Sequence, residues 1–194
     1  MFQTTNPQIE FILIQNMSRK KRILIGFIFV GIFATSFSIG AEIKISQEDA
    51  KTFLKAFEQA VQGIDAIGIF AHNASIGLPM FIPGFGIAWG LFASASTGLA
   101  FSAIASSSPL LAKIPPITIL IVSPFGVMEL AAYSIGMSRS FILIWSIIKK
   151  NPIKQEIRPT IIEIGIVIAL LLAGGFIEAT MISQYGSSNI HLES

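Results

Sequence analysis

Five apolar blocks, the first led by the basic run Arg19-Lys20-Lys21-Arg22, constrain this chain more than any other feature. With 53% hydrophobic and only 12% charged residues among 194, the chain has too little polar surface to cover a water-soluble globule of its size. The bilayer is therefore its expected solvent. The predicted fold class is all-α, a polytopic membrane helix bundle of five transmembrane helices. An amphipathic helix follows the first span, and a proline-broken or re-entrant segment precedes the fourth.

The first block, 23–40, is long enough to cross the hydrocarbon core as a helix. A cleaved signal peptide is the rival reading, since small residues occupy 34–41, but the block is longer than a signal core and four further spans would anchor the chain. Residues 1–18 read as an N-terminal tail, with Met17 as an alternative start. Over 46–63, Phe53, Leu54, Phe57 and Val61 recur at three and four residues among Glu48, Asp49, Lys51, Lys55 and Glu58, which predicts an amphipathic helix on the membrane surface or against the bundle. Ser46 and Asp49 have the spacing of a capping box, with Asp in the place of Glu.

The apolar stretch 64–108 is about twice a crossing and is interrupted by Pro79, Pro83, Gly84 and Gly86, so it predicts a helical hairpin with spans at 64–80 and 85–106. Gly86, Gly90 and Gly98 mark the second arm as a close-packing helix, Gly86 and Gly90 at small-xxx-small spacing. In 114–148, Pro115, Pro116 and Pro124 rule out one unbroken helix. Two arrangements fit. Either 109–123 dips into the membrane and returns, with the fourth span at 125–148 and a helix break at Pro124 and Gly126, or a kinked span is followed by an interfacial helix at 141–148. We favour the first. The fifth span, 160–182, is placed just after Pro159, a residue tolerated at helix starts, and 183–194 reads as a polar C-terminal tail.

Charge bias sets the orientation. The run 19–22, Arg139 and the loop residues Lys149, Lys150, Lys154 and Arg158 hold nine of the thirteen Lys and Arg residues. With five spans these fall on one side, which places the N-terminus in the cytoplasm and the C-terminus outside a cell membrane. The net charge of +2, with cations beside apolar blocks and no basic stripe interleaved with aromatics, argues against nucleic-acid binding. Without cysteine there are no disulfides, thiolate metal sites or cysteine nucleophiles.

Several segments together resemble the stage II sporulation protein M family. Pro124-Phe125-Gly126-Val127-Met128-Glu129 is similar to its Pro-His-Gly-x-x-Glu signature, and Phe176-Ile177-Glu178-Ala179 resembles its closing Ile-Glu-Ala element. Phe70-Ala71-His72-Asn73 resembles the Phe-x-x-Asn segment of its second span, and the glycine-rich span with Gly86, Gly90 and Gly98 follows in the same order. The resemblance covers 22–182. It implies the five-span architecture and a place in a membrane complex, which in sporulating members remodels peptidoglycan during engulfment. Phe125 stands where the family has histidine and Thr97 where asparagine is common, so no histidine relay carries over.

The residues support a site without that resemblance. A carboxylate in hydrocarbon costs roughly 2.5–3.5 kcal/mol on insertion scales, so Glu129 and Glu178 should face a partner, line a cavity or stay protonated. In the predicted topology His72 lies about 12 Å and the two glutamates about 7–8 Å from the outer ends of their spans. His72, Asn73, Glu129 and Glu178 are thus candidates for a shared ligand or proton pocket. The bland alternative is that they hydrogen-bond across helices and set the packing. Glu163 and Asp65, near span ends, are weaker candidates.

Catalytic signals are missing: there is no His-Glu-x-x-His, no Gly-x-Ser-x-Gly and no phosphate loop. Ser94, Ser96 and Ser102 could be imagined beside His72 as a serine nucleophile set, but no motif selects one, and His191 sits in the polar tail. The expectation is a non-enzymatic component or scaffold of a membrane complex, with small-solute or proton-coupled transport through Glu129 and Glu178 as the alternative. No cofactor or metal is implied. The expected partners are the lipid bilayer and other membrane or envelope proteins, or further copies of the chain.

Overall fold

The computed structural model describes residues 19–61, 63–106 and 113–190. The chain start, including Met17, the first part of 109–123, and His191 with the chain end lie outside the described residues. All regular structure within them is helical: α1 (Arg19–Ala41), α2 (Gln47–Val61), α3 (Ala66–Gly77) continued by a 3-10 turn (Leu78–Phe81), α4 (Phe85–Ser106), α5 (Pro116–Val122), α6 (Pro124–Ile148) and α7 (Lys154–Ile190). Four of these, α1, α4, α6 and α7, are long and apolar enough to cross a membrane.

Local chemistry explains the boundaries. Ser46 Oγ accepts from the Asp49 amide at 3.1 Å and donates to the Asp49 carboxylate at 2.6 Å, so the shorter Asp closes the box on the hydroxyl of α2's cap. Asp65 caps α3 by accepting from the Gly68 amide at 2.8 Å. After the 3-10 turn the chain reverses at 82–84, where Gly84 takes a positive φ of 77° that suits glycine. Gly86 then lets α4 start directly against the Met80 backbone. At the next break the Ser123 amide closes α5 on the Ile119 carbonyl, and Pro124 opens α6 where its missing N–H costs nothing.

Helix α6 is the centre of the bundle. More than half of its apolar window is buried (56%), against 22% for each of the other long helices, and it touches every other helix except α2. The contact pairs give the directions. Along α1 and α4, Ser94 Oγ donates to the Phe33 carbonyl at 2.7 Å and Ser36 Oγ to that of Leu91 at 2.9 Å, while Gly98 abuts Phe37 and Gly40 abuts Ala95, so these helices run parallel. Helix α3 runs with α6, as Asn73 meets Glu129 and Gly77 meets Tyr133. Helix α7 runs against both, with Gly175 over Ala66 and Arg139 on Glu163. Three helices therefore point one way and two the other. Phe29, Phe33, Met80, Tyr133, Met137, Val167 and Leu171 fill the space between them.

Outward faces are apolar. Ile23, Leu24 and Phe27 on α1, Phe92 on α4, and Ile161, Ile162 and Phe176 on α7 are each more than half exposed. Such a surface is consistent with a membrane protein.

Several boundaries differ from those predicted. Residues 141–148 continue α6 and do not form a separate interfacial helix. Helix α7 starts at Lys154, ahead of Pro159, and continues past 182 to Ile190. The extra first turn forms although Pro159 withholds an amide from it, because Glu156 is drawn into the bundle by two arginines. The arm predicted at 64–80 is a short helix and a 3-10 turn, since Pro79 cannot donate the next α-helical bond.

The α1–α4 seam gives a direct test. A methyl on Gly98 would run into the Phe37 carbonyl, whereas one on Gly31 meets nothing within 4 Å. Gly98→Ala should lower unfolding stability in detergent by about 1–3 kcal/mol, the usual cost of overpacking. Gly31→Ala should leave it unchanged or slightly raised, and denaturant titration of helicity measures both.

Candidate functional site

Two polar clusters lie inside the bundle, at different depths along α6. The first joins α3, α6 and α7. Asn73 Nδ2 donates to Glu129 Oε1 at 2.6 Å, and Glu178 lies within electrostatic range of Glu129 and of the buried Tyr133. Asn73 is buried, while Glu129 and Glu178 are half-buried. Among the described residues neither glutamate has an ion-pair partner.

His72 is not part of this cluster. The buried face of α3 consists of Ile69, Asn73, Ala74 and Gly77. Successive helical residues are turned by about 100°, so the choice of Asn73 sends its neighbour elsewhere. His72 falls with Ala71 and Ser75 on the exposed side. Three of the four predicted pocket residues are thus gathered, and the fourth faces out.

The second cluster, about 15 Å further along α6 at the helical rise, was not singled out in the sequence. Arg139 is fully buried. Its Nε donates to Glu163 Oε2 at 2.5 Å and its Nη2 to Glu163 Oε1, a bidentate pairing, while Nη1 donates to Glu156 Oε2 at 2.8 Å. Arg22, at the start of α1, donates to the same Glu156 oxygen at 2.6 Å. Two guanidinium groups and two carboxylates make a neutral chain across α1, α6 and α7. A signal existed: Arg139 is the only cation inside the 124–148 block, and Glu163 the only acid early in the next, so each needed a partner.

Between the clusters lies an apolar layer. Met80, Met137, Val167 and Leu171 are fully buried there, with Tyr133 and Phe33 ring centroids 5.7 Å apart. The predicted packing glycines serve close contacts. Gly98 faces the Phe37 backbone of α1, Gly90 the Met137 side chain, and Gly86 the Met80 backbone. Gly126 admits the Leu120 carbonyl at the Pro124 break. Ser94 donates to the Phe33 carbonyl, and Ser102 Oγ to that of Ile43 at 3.4 Å. No group of three or more metal-ligating side chains occurs among the described residues.

Fold and clusters together describe an all-helical arrangement with four membrane-length helices and two polar clusters between them. Comparison with family models, curated proteins and solved structures returns no match.

Arg139 carries the sharpest stability prediction. Arg139→Gln strands Glu163 and Glu156 without their main cation and should destabilise the bundle by about 3–5 kcal/mol. Adding Glu163→Gln should recover part of that loss. Chemical unfolding in detergent micelles distinguishes the two variants.

Proposed function

We propose that this chain is a five-span integral membrane protein with a cytoplasmic N-terminus and an external C-terminus, and that it works as a non-enzymatic component of a membrane complex. One observation carries the reading. Arg22, Arg139, Glu156 and Glu163 are engaged with one another, as are Asn73 and Glu129, and most of the described residues lie in helices. What the protein offers to its surroundings is helix surface. A fifth crossing would be made by α3 with its 3-10 turn, which together rise about 26 Å, close to the core thickness of about 30 Å. The alternating helix directions agree with it.

We propose kinship with stage II sporulation protein M on the motif order and on one contact. Asn73 and Glu129, which end two of the resembling segments, hydrogen-bond to each other. That pairing gives the motifs a shared structural reason.

Proton-coupled or small-solute transport is the second reading. It is favoured by two glutamates at membrane depth that lack a cation among the described residues, and by the break at Pro124 beside them.

A photoreactive phenylalanine at position 92 or 176, both exposed, tests the first reading in native membranes. A component of a complex should give a discrete adduct at one or both sites, and none from the buried position 37. Absence of adducts, together with proton flux in reconstituted vesicles that Glu129→Gln abolishes, would favour transport instead.

A further inference from the structure

At the start of α7, Lys154, Ile157, Arg158, Ile161 and Ile162 line a shallow outward groove of about 610 Å³. Their spacing of three and four residues puts all five on one face of the helix. The groove has a direction. Lys154 and Arg158 lie one turn apart at the end where the chain enters the bundle, with Ile157 beside them, and Ile161 and Ile162 follow toward the apolar middle of the helix.

The cations are without counter-charges of their own. Glu156 lies between them in sequence but about 200° around the helix from each, and it points inward to Arg22 and Arg139. Glu163 is taken by Arg139. Among the described residues Lys154 and Arg158 therefore have no ion-pair partner. The preceding loop adds Lys150, and Lys149 stands 5.0 Å over the Trp145 ring, an aromatic at the position of an interfacial anchor.

We propose that this groove binds one anionic phospholipid, with its headgroup phosphate between Lys154 and Arg158 and an acyl chain along Ile161 and Ile162. The internal ion pairs are what make the site. By holding Glu156 and Glu163 on Arg22 and Arg139, they leave a net positive headgroup position above an apolar track. A zwitterionic headgroup would bring its own cation against Lys154 and Arg158, whereas an anionic one supplies the missing charge. The site depends on membrane embedding and not on a role in a complex, so a chain that yields no protein adducts would still hold the lipid.

Native mass spectrometry of the full chain, released from detergent with phosphatidylglycerol or phosphatidylcholine of identical acyl chains, tests the site. The wild-type protein should retain phosphatidylglycerol preferentially. Lys154→Gln and Arg158→Gln should each weaken that retention about five-fold, the usual effect of one interfacial cation. The exposed pair Lys44→Gln with Lys51→Gln should leave it unchanged, and excess inorganic phosphate should not displace the lipid. Circular dichroism of each variant checks that the helices persist. Equal retention of the two lipids, undiminished retention in Lys154→Gln with Arg158→Gln, equal loss in the Lys44 and Lys51 variant, or displacement by free phosphate would each overturn the proposal.

Discussion

A guanidinium with no exposure sits between two carboxylates of the neighbouring helix, and the arrangement of the bundle depends on it. Removing an arginine from water is costly, and even generous pairing does little more than balance that cost. The return is geometric. Planar Arg139 accepts one register of Glu163 and Glu156, which sets how α7 lies along α6, and the second cation on Glu156 brings in the start of α1. Three helices distant in sequence are indexed to each other by four side chains whose charges sum to zero.

No other ion pair of this kind joins the helices among the described residues, and in lipid they gain nothing from hiding apolar surface. Association then rests on close approach and on hydrogen bonds. The α1–α4 seam uses both. Gly40 and Gly98 bring backbone against backbone, and Ser36 and Ser94 donate to opposite carbonyls between them. Asn73 and Glu129 do the same for α3 and α6. The apolar layer of Met80, Met137, Val167 and Leu171 separates that pair from the arginine network and leaves the interior in two polar levels.

Much of this was legible in the chain, for reasons that differ by residue. Long apolar blocks have a single solution in lipid, so α1, α4 and α6 fall close to their predicted bounds, and Ser46 marks the start of α2. Asn73, Glu129 and Glu178 stood out because polar atoms are costly at that depth. Which of two adjacent residues faces inward was not legible: His72 and Asn73 are equally placed along the axis, and only the neighbours of α3 choose between them. Nor was the start of α7. Pro159 reads locally as the mark of a helix start, and it is overridden by Glu156, whose partners lie on two other helices. Arg139 was read as a topological cation because its depth, and not its pairing, is visible in one dimension.

The same engagement of internal charges leaves the outer faces to determine what the protein meets. On the function proposed above, exposed isoleucines, the proposed anionic-lipid groove and outward helix surfaces would let the protein act by position and not by reaction. The central claim is that the polar interior is packed shut against water, and accessibility tests it most directly. Single cysteines at 129, 163 and 178, in this cysteine-free chain, should resist a water-soluble maleimide added to either side of oriented membranes, while cysteines at 44 and 151 label fully. Ready labelling at 129 and 178 from one side would show a water-filled cavity and contradict a closed interior.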